Sequence, residues 1–250
     1  MALQQTRVSS QANYAAVSQI DAARKQKDWK ASGYCSRWAF ILDRCKGKSV
    51  LHLGFVGETD GPLHVKVDAF GDQRVLHPLL TRAASEVVGV DYDERAVEGI
   101  RTKFQADGLL VGDVEHLEQL PLHRTFDVIL FGDLIEHLSC PGLALEGIRR
   151  FMSPHSELIL STPNAFALLA NVRFTLGKFR EGNEHVAAYS KFTLPALLER
   201  HRLQMTELYT CFNRPPQSRM GRLKFSIGTP FFKAMPDRGG TLLAVARQVA

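Results

Sequence analysis

From Ser49 onward, short apolar runs and helix-patterned segments take turns along the chain. SVLHL is followed by VLHPLLTRAA and EVVGVD by ERAVEGIRTKF; LLVGDV and FDVILFGD come next, then PGLALEGIRRFM, and SELILST closes the series. A strand can reach a parallel neighbour only through a crossover, and a helix supplies one, so this alternation specifies an α/β chain with a parallel sheet. The strand runs are rich in Val, Ile and Leu and show no in-out alternation, as expected where helices cover both faces.

After STPN the pattern changes. A loop-rich stretch, residues 163 to 192, leads to TLPALLERH, where Leu194, Leu197 and Leu198 have helical spacing, Thr193 is available as N-cap and Pro195 is tolerated in the first turn. LQMTELYTCF and TLLAVARQ are two late strands separated by a Pro/Arg-rich segment that runs to Gly240, which suggests an antiparallel pair finishing the sheet. Seven strands in the order 3-2-1-4-5-7-6, with the last antiparallel and helices on both faces, accommodate every run. Residues 1–46 are polar and then amphipathic, with Trp29, Tyr34, Trp38, Phe40, Ile41 and Leu42, and are expected to form an N-terminal helical cap. Residues 47–250 form the main domain, with a lid-like insertion at about 212–240.

With 250 residues and 45% apolar composition, the chain can bury one large core. No apolar run approaches the ~18 residues of a membrane span, and the N-terminus lacks the apolar core of a secretory signal. A soluble, cytoplasmic protein without a membrane partner is expected. Cys35, Cys45, Cys140 and Cys211 form no C-x-x-C pair, so neither a zinc knuckle nor a dithiol redox motif is indicated. The formal charge is +5, but its basic residues gather only modestly, at Arg24, Lys25, Lys27 and Lys30 and again at Arg214, Arg219, Arg222 and Lys224. Such groups read as solvated faces or lid charges, and nucleic acid is not the expected partner.

The segment SVLHLGFVGETDG delivers a buried strand into a glycine turn at Gly54, with Gly57 and Gly61 following. A dinucleotide loop needs G-x-G-x-x-G opening straight into a helix, and here Val56 stands where the second glycine belongs. The strand-end acids are more informative. GVDYDERA ends a strand at Asp91, whose carboxylate offers two acceptor oxygens in one plane for the hydroxyls of a ribose. LLVGDVEHL ends another at Asp113, placed to accept the exocyclic amine of an adenine or to cap a helix. FDVILFGD ends at Asp133, over the crevice where ligands sit in open α/β sheets. The gap from Gly54 to Asp91 exceeds the ~20 residues of the dinucleotide fingerprint. The surplus, ETDGPLHVKVDAFGDQ, reads as an insertion.

At these residues the chain resembles the class I methyltransferases that use S-adenosylmethionine. VLHLGFVG matches the glycine loop, Asp91 the ribose acid, GDVE the adenine acid, FDVILFGDLIEHL the fourth strand and its loop, and FMSPHSELILSTPN the fifth, so the likeness runs from about Lys48 to Leu203. It implies a Rossmann-like fold, S-adenosylmethionine as cofactor, and a cofactor-binding set of His52, Gly54, Gly57, Asp91, Tyr92, Asp113, Val114, Gly132 and Asp133. A cofactor without phosphate also explains a loop that need not cradle a pyrophosphate. The chain departs from the family at His52, where an acid is usual, and at Val56; a non-catalytic cofactor-binding domain is the alternative those departures leave open.

Methyl transfer from a sulfonium demands proximity, alignment and a deprotonated nucleophile. GDLIEHL offers Glu136 and His137 beside Asp133, and GNEHVAAYS offers Glu184, His185 and Tyr189. Either histidine can take a hydroxyl proton near neutral pH. The candidate catalytic set is therefore His137, His185, Glu136 and Tyr189. The expected reaction is O-methylation of a small molecule, with Arg and Lys among Phe212, Phe225, Phe231 and Phe232 hinting at an anionic one. The spacing Asp133-x-x-Glu136-His137 with His185 also looks like the metal-binding arrangement of the small-RNA terminal 2'-O-methyltransferases. A divalent ion and an RNA ribose acceptor are the alternative that this likeness implies, with the metal admitted but not favoured.

Overall fold

The computed structural model describes residues 28–56, 75–178, 182, 184–212 and 218–249. Eight strands form one sheet: β1 (Tyr34–Ser36), β2 (Ser49–Leu53), β3 (Glu86–Asp91), β4 (Leu109–Val111), β5 (Phe126–Gly132), β6 (Met152–Pro163), β7 (Leu203–Phe212) and β8 (Thr241–Gln248). Their order is β1-β7-β8-β6-β5-β2-β3-β4. Only β8 runs antiparallel, against both β6 and β7.

This corrects the expected seven strands in the order 3-2-1-4-5-7-6. The additional strand is the first among the described residues, and it lies parallel to β7 at the sheet edge, Cys35 opposite Cys211. Within the segment expected as a helical cap, residues 1–27 lie outside the described residues, Tyr34–Ser36 joins the sheet, and Arg37–Cys45 forms helix α1. The remaining helices are α2 (Leu76–Ala83), α3 (Glu94–Phe104), α4 (Pro141–Arg149), α5 (Leu168–Thr175), α6 (Thr193–Arg200) and α7 (Arg219–Ala234).

Successive strand residues point to opposite faces, and both faces are apolar. Leu51, Leu53, Ile129, Phe131, Leu158 and Leu160 face one core layer, which also holds Leu145 and Ile148 of α4 and Leu194 and Leu198 of α6. Val50, Val128, Leu130 and Ile159 face the other, with Ile41 of α1 and Leu80 of α2. Each such side chain contributes roughly 1.5–3 kcal/mol by leaving water.

Local signals set the helix starts. Ser36 accepts from the Ala39 amide, Asp93 accepts from the Ala96 amide at 3.0 Å, and Pro141 opens α4, where its missing N–H costs nothing. At α6 the hydroxyl comes from Ser190 rather than Thr193: Ser190 Oγ accepts from the amides of Phe192 and Thr193, while Thr193 Oγ1 accepts from the Ser190 amide. The Pro/Arg-rich segment expected as a lid-like insertion contains α7, which continues through Pro230. Phe225 packs on Phe212 and Phe232 on Tyr34, and those contacts hold the helix against the cost of an interior proline.

Candidate functional site

Where β2, β3, β4 and β5 end, their loops enclose a cleft of about 290 Å³. Its floor begins at Gly54, whose φ of +65° is a left-handed conformation that favours glycine. Space imposes the same choice: a Cβ there would meet Leu134 Cδ2 at 2.6 Å. The Gly54 amide donates to the Val90 carbonyl at 2.9 Å, which ties the turn to β3.

Asp91 stands beside that turn, 5% exposed and lining the cleft. Its Oδ2 accepts from the Val56 amide at 3.0 Å and its Oδ1 from the Asp93 amide at 3.2 Å. Burial raises its pKa, and the backbone donors pull the other way by favouring the charged form. Each carboxylate oxygen has two acceptor sites, so the backbone bonds aim the group while leaving capacity toward the cleft. Tyr92, largely exposed, and Val114 line the same region. Asp113 caps the 3-10 helix Val114–Gln119, Oδ1 accepting from the Glu115 amide at 2.9 Å, and it also lines the cleft.

Asp133 has φ +47° and lies under a second set of ties. Ser161 Oγ donates to its Oδ1 at 2.9 Å, its amide donates to the Ser161 carbonyl at 2.8 Å, and Arg37 Nη1 pairs with its Oδ2. Arg37 comes from α1, 96 residues earlier, and no local pattern marks it. It is the main residue of this site that sequence reasoning missed, together with Leu134, which roofs Gly54 and lines the cleft.

His137, Leu138 and Glu184 also line the cleft. His137 Nδ1 is 3.2 Å from the Glu184 carbonyl oxygen, which can only accept. As a hydrogen bond this contact needs the donor on Nδ1, which in the neutral ring makes Nε2 the acceptor atom. His185 packs edge-on against His137, ring centroids 4.8 Å apart. Glu136 is buried; its carboxylate accepts from Thr162 Oγ1 at 2.9 Å, and its carbonyl accepts from the Val186 and Ala187 amides. One ligand atom from each of Glu136, His137 and His185 falls within 4.8 Å of the others, a carboxylate and two imidazoles able to hold a divalent ion. Tyr189 is buried nearby, its hydroxyl pKa raised by burial and by the Glu136 charge.

Not every expected residue reaches the cleft. Strand alternation turns His52 to the face of Val50, where its Nδ1 lies 3.2 Å from His77 Nδ1 and its ring stacks on His77. Burial and the neighbouring His77 and Arg37 charges hold its pKa well below the usual value. Neither Gly132, which approaches Ser161, nor Tyr189 lines the cleft. Gly57 and the insertion ETDGPLHVKVDAFGDQ lie outside the described residues.

The family described as a methyltransferase domain matches residues 69–160. A probable S-adenosylmethionine-dependent methyltransferase of Mycolicibacterium smegmatis is 30% identical over 125 residues, which cover 50% of this chain and 41% of that protein. The match thus spans well under half of that relative's length. Among solved structures, a Bacillus halodurans protein described as a candidate methyltransferase superposes with TM-score 0.56 at 16% identity, over 86% of this chain and 99% of the other. A Clostridium acetobutylicum S-adenosylmethionine-dependent methyltransferase gives 0.54 at 12%, over 96% and 100%. Magnesium protoporphyrin IX methyltransferase from Synechocystis, solved with S-adenosylhomocysteine bound, gives 0.53 at 15%, over 85% and 79%. At these identities the likeness speaks for the fold.

Proposed function

We propose that this chain, which has the fold of the class I S-adenosylmethionine-dependent methyltransferases, moves a methyl group from that cofactor to an oxygen of a small-molecule acceptor, with His137 as general base. The observation that carries this reading is a single cleft lined by two chemically different sets: Gly54, Asp91 and Asp113 for the cofactor, Asp133 and His137 for the acceptor. An adenosine held by the first set points its sulfonium toward the second. The buried carboxylate of Asp91 favours a cation, because its field is weakly screened there.

In the step itself the acceptor hydroxyl loses its proton to His137 Nε2 as its oxygen attacks the methyl carbon. The new O–C bond forms as the S–C bond breaks, and the sulfonium leaves as a neutral thioether. Glu136, buried and held by Thr162, fixes the loop that carries His137, and His185 supports the imidazole from its edge.

Calorimetry with S-adenosylmethionine, S-adenosylhomocysteine and NAD tests the cofactor. Asp91→Asn is expected to weaken S-adenosylhomocysteine about 10- to 100-fold, the worth of hydrogen bonds to a charged acceptor; binding of NAD in its place overturns the assignment. Transfer of a 13C-labelled methyl into a deproteinised cell extract tests the rest. An O-methyl resonance that His137→Ala suppresses is the expected result. Label on nitrogen or carbon, equal rates in His137→Ala and His185→Ala and wild type, or tight binding with no transfer each sinks part of it.

The Glu136, His137 and His185 cluster favours a second reading, in which a divalent ion acidifies the acceptor hydroxyl and a ribose diol is a candidate acceptor. Transfer abolished by a chelator and restored by one divalent metal distinguishes it from the metal-free base.

A further inference from the structure

Two helices at the carboxyl end of the sheet bury almost nothing. Helix α7 has no buried residue, and neither has α5. Both leave the sheet at the end that carries the cleft. α5 follows β6, while α7 joins β7 to β8, and Asn164 Nδ2 ties the two connections by donating to the Asp237 and Gly239 carbonyls.

Helix α7 carries two apolar stripes instead of one. The inner stripe, with Phe225 and Phe232, packs on Phe212 and Tyr34. The outer one consists of Met220, Leu223, Ile227 and Phe231, which at 3.6 residues per turn share an arc of roughly 80°. Leu223 is 56% and Ile227 70% exposed. On α5 and its end, Leu169, Val172 and Leu176 repeat the arrangement at spacing three and four, Leu176 being 64% exposed. One amphipathic stripe suffices to dock a helix on its own protein, so the second stripe implies a second apolar surface.

The charges around the stripes identify that surface. Arg219, Arg222, Lys224 and Lys233 lie on α7, Arg173 and Lys178 on or after α5, and neither 165–178 nor 218–235 contains an acid. All six cations are exposed. Seen down the helix, Arg219, Arg222 and Lys233 flank one side of the outer stripe of α7 and Lys224 the other. Apolar side chains between long cationic ones suit the boundary between acyl chains and phosphates, with the cations reaching up to the headgroups. A second copy of the chain fits less well, because a two-fold contact sets this patch against itself and brings cations onto cations. None of the described helices is long and apolar enough to cross a membrane, so the contact is with the surface.

We propose that the outer faces of α5 and α7 seat this protein on an anionic lipid surface, with the cleft end of the sheet turned toward it. The proposal departs from the expectation of no membrane partner, and it does not depend on methyl transfer. Flotation of the full chain, without cofactor, on phosphatidylcholine vesicles with and without about a third phosphatidylglycerol tests it. Binding to the anionic vesicles is expected to exceed binding to the neutral ones at least tenfold and to fall with added salt. Leu223→Glu with Ile227→Glu is expected to abolish it, with the far-ultraviolet spectrum and melting temperature of wild type. Ile227→Trp supplies a positive reading that needs no loss: the emission of the introduced indole is expected to shift to the blue on anionic vesicles. Absence of binding to either vesicle, an unshifted indole emission in Ile227→Trp, or a concentration-dependent dimer that Leu223→Glu dissociates overturns the proposal, the last in favour of a second copy.

Discussion

The two ends of the sheet both display carboxylates, and they treat them differently. Near the amino end, Glu157 of β6 is 6% exposed and receives Arg44, Arg247 and Lys48, while Arg44 also grips Glu207 through both oxygens. At the carboxyl end, Asp91 and Asp113 accept from backbone amides of Val56, Asp93 and Glu115. Guanidinium partners cancel a charge; amides orient it and leave most of it in place. The same functional group is therefore structural at one end and available to a ligand at the other. Asp133 is intermediate, oriented by Ser161 but paired with Arg37, which makes it the rim acid with the least charge to offer.

The strongest way to break this comparison is to remove Glu157. Glu157→Ala leaves Arg44 and Arg247 without their shared counter-charge, and the loss is expected to be about 3 kcal/mol of stability, at the lower end for a buried pair because Arg44 is partly exposed. Urea denaturation measures it. S-adenosylhomocysteine affinity should stay within twofold of wild type; a large loss there would show the two ends to be coupled and the division false.

Between the ends lies a pair that has no counter-charge among the described residues. His52 and His77 are buried, and burial lowers the His77 pKa to about 4. The unfolded chain protonates these rings near ~6.5 whereas the folded chain does not, so unfolding takes up protons between those values. The His77 contribution to stability is complete above about pH 6.5 and is lost as the pH falls toward 4. For His77 this amounts to roughly 2–3 kcal/mol. The raised pKa of Asp91 acts with the opposite sign, since the folded state then binds its proton first, and offsets part of the slope. A comparison of wild type with His77→Leu isolates the histidine: the variant should show the shallower decline in unfolding free energy from pH 6.5 to 4. Parallel curves would mean that the ring is charged in the folded protein.

The central strands were legible because burial on two faces demands long unbroken apolar runs, and strand-end acids stand out against such runs. Asp91, Asp113 and Asp133 could be placed on the rim for that reason. Three kinds of feature were not legible. β1 has only three residues and finds its partner, Tyr34 opposite Thr210, far along the chain, so no local periodicity announces it. Arg37 reaches Asp133 by the same long-range route. α7 was hidden by Pro230, because a rule about helix interiors weighs the lost N–H and cannot weigh the packing of Phe225 and Phe232 that opposes it. His52 shows a different limit: its distance from Gly54 suggested the cofactor, but strand alternation sends its side chain to α2.

Asp113 offers the smallest effect and the finest resolution, because it holds a cap and lines the cleft at once. Asp113→Ala removes both roles and is expected to cost about 0.5–1 kcal/mol of stability, the worth of a helix N-cap. Asp113→Asn separates them. Asn caps as well as Asp, so stability should return to that of wild type. Its amide oxygen, committed to the Glu115 N–H, leaves the NH2 group facing the cleft where Asp presents an acceptor. A ligand amine would then meet a donor. If Asp113 receives an adenine amine, Asp113→Asn binds S-adenosylhomocysteine about 5- to 10-fold more weakly at unchanged stability, a difference of about 1 kcal/mol. Wild-type affinity in Asp113→Asn would reduce Asp113 to a cap and leave Asp91 alone to carry the charge of the rim.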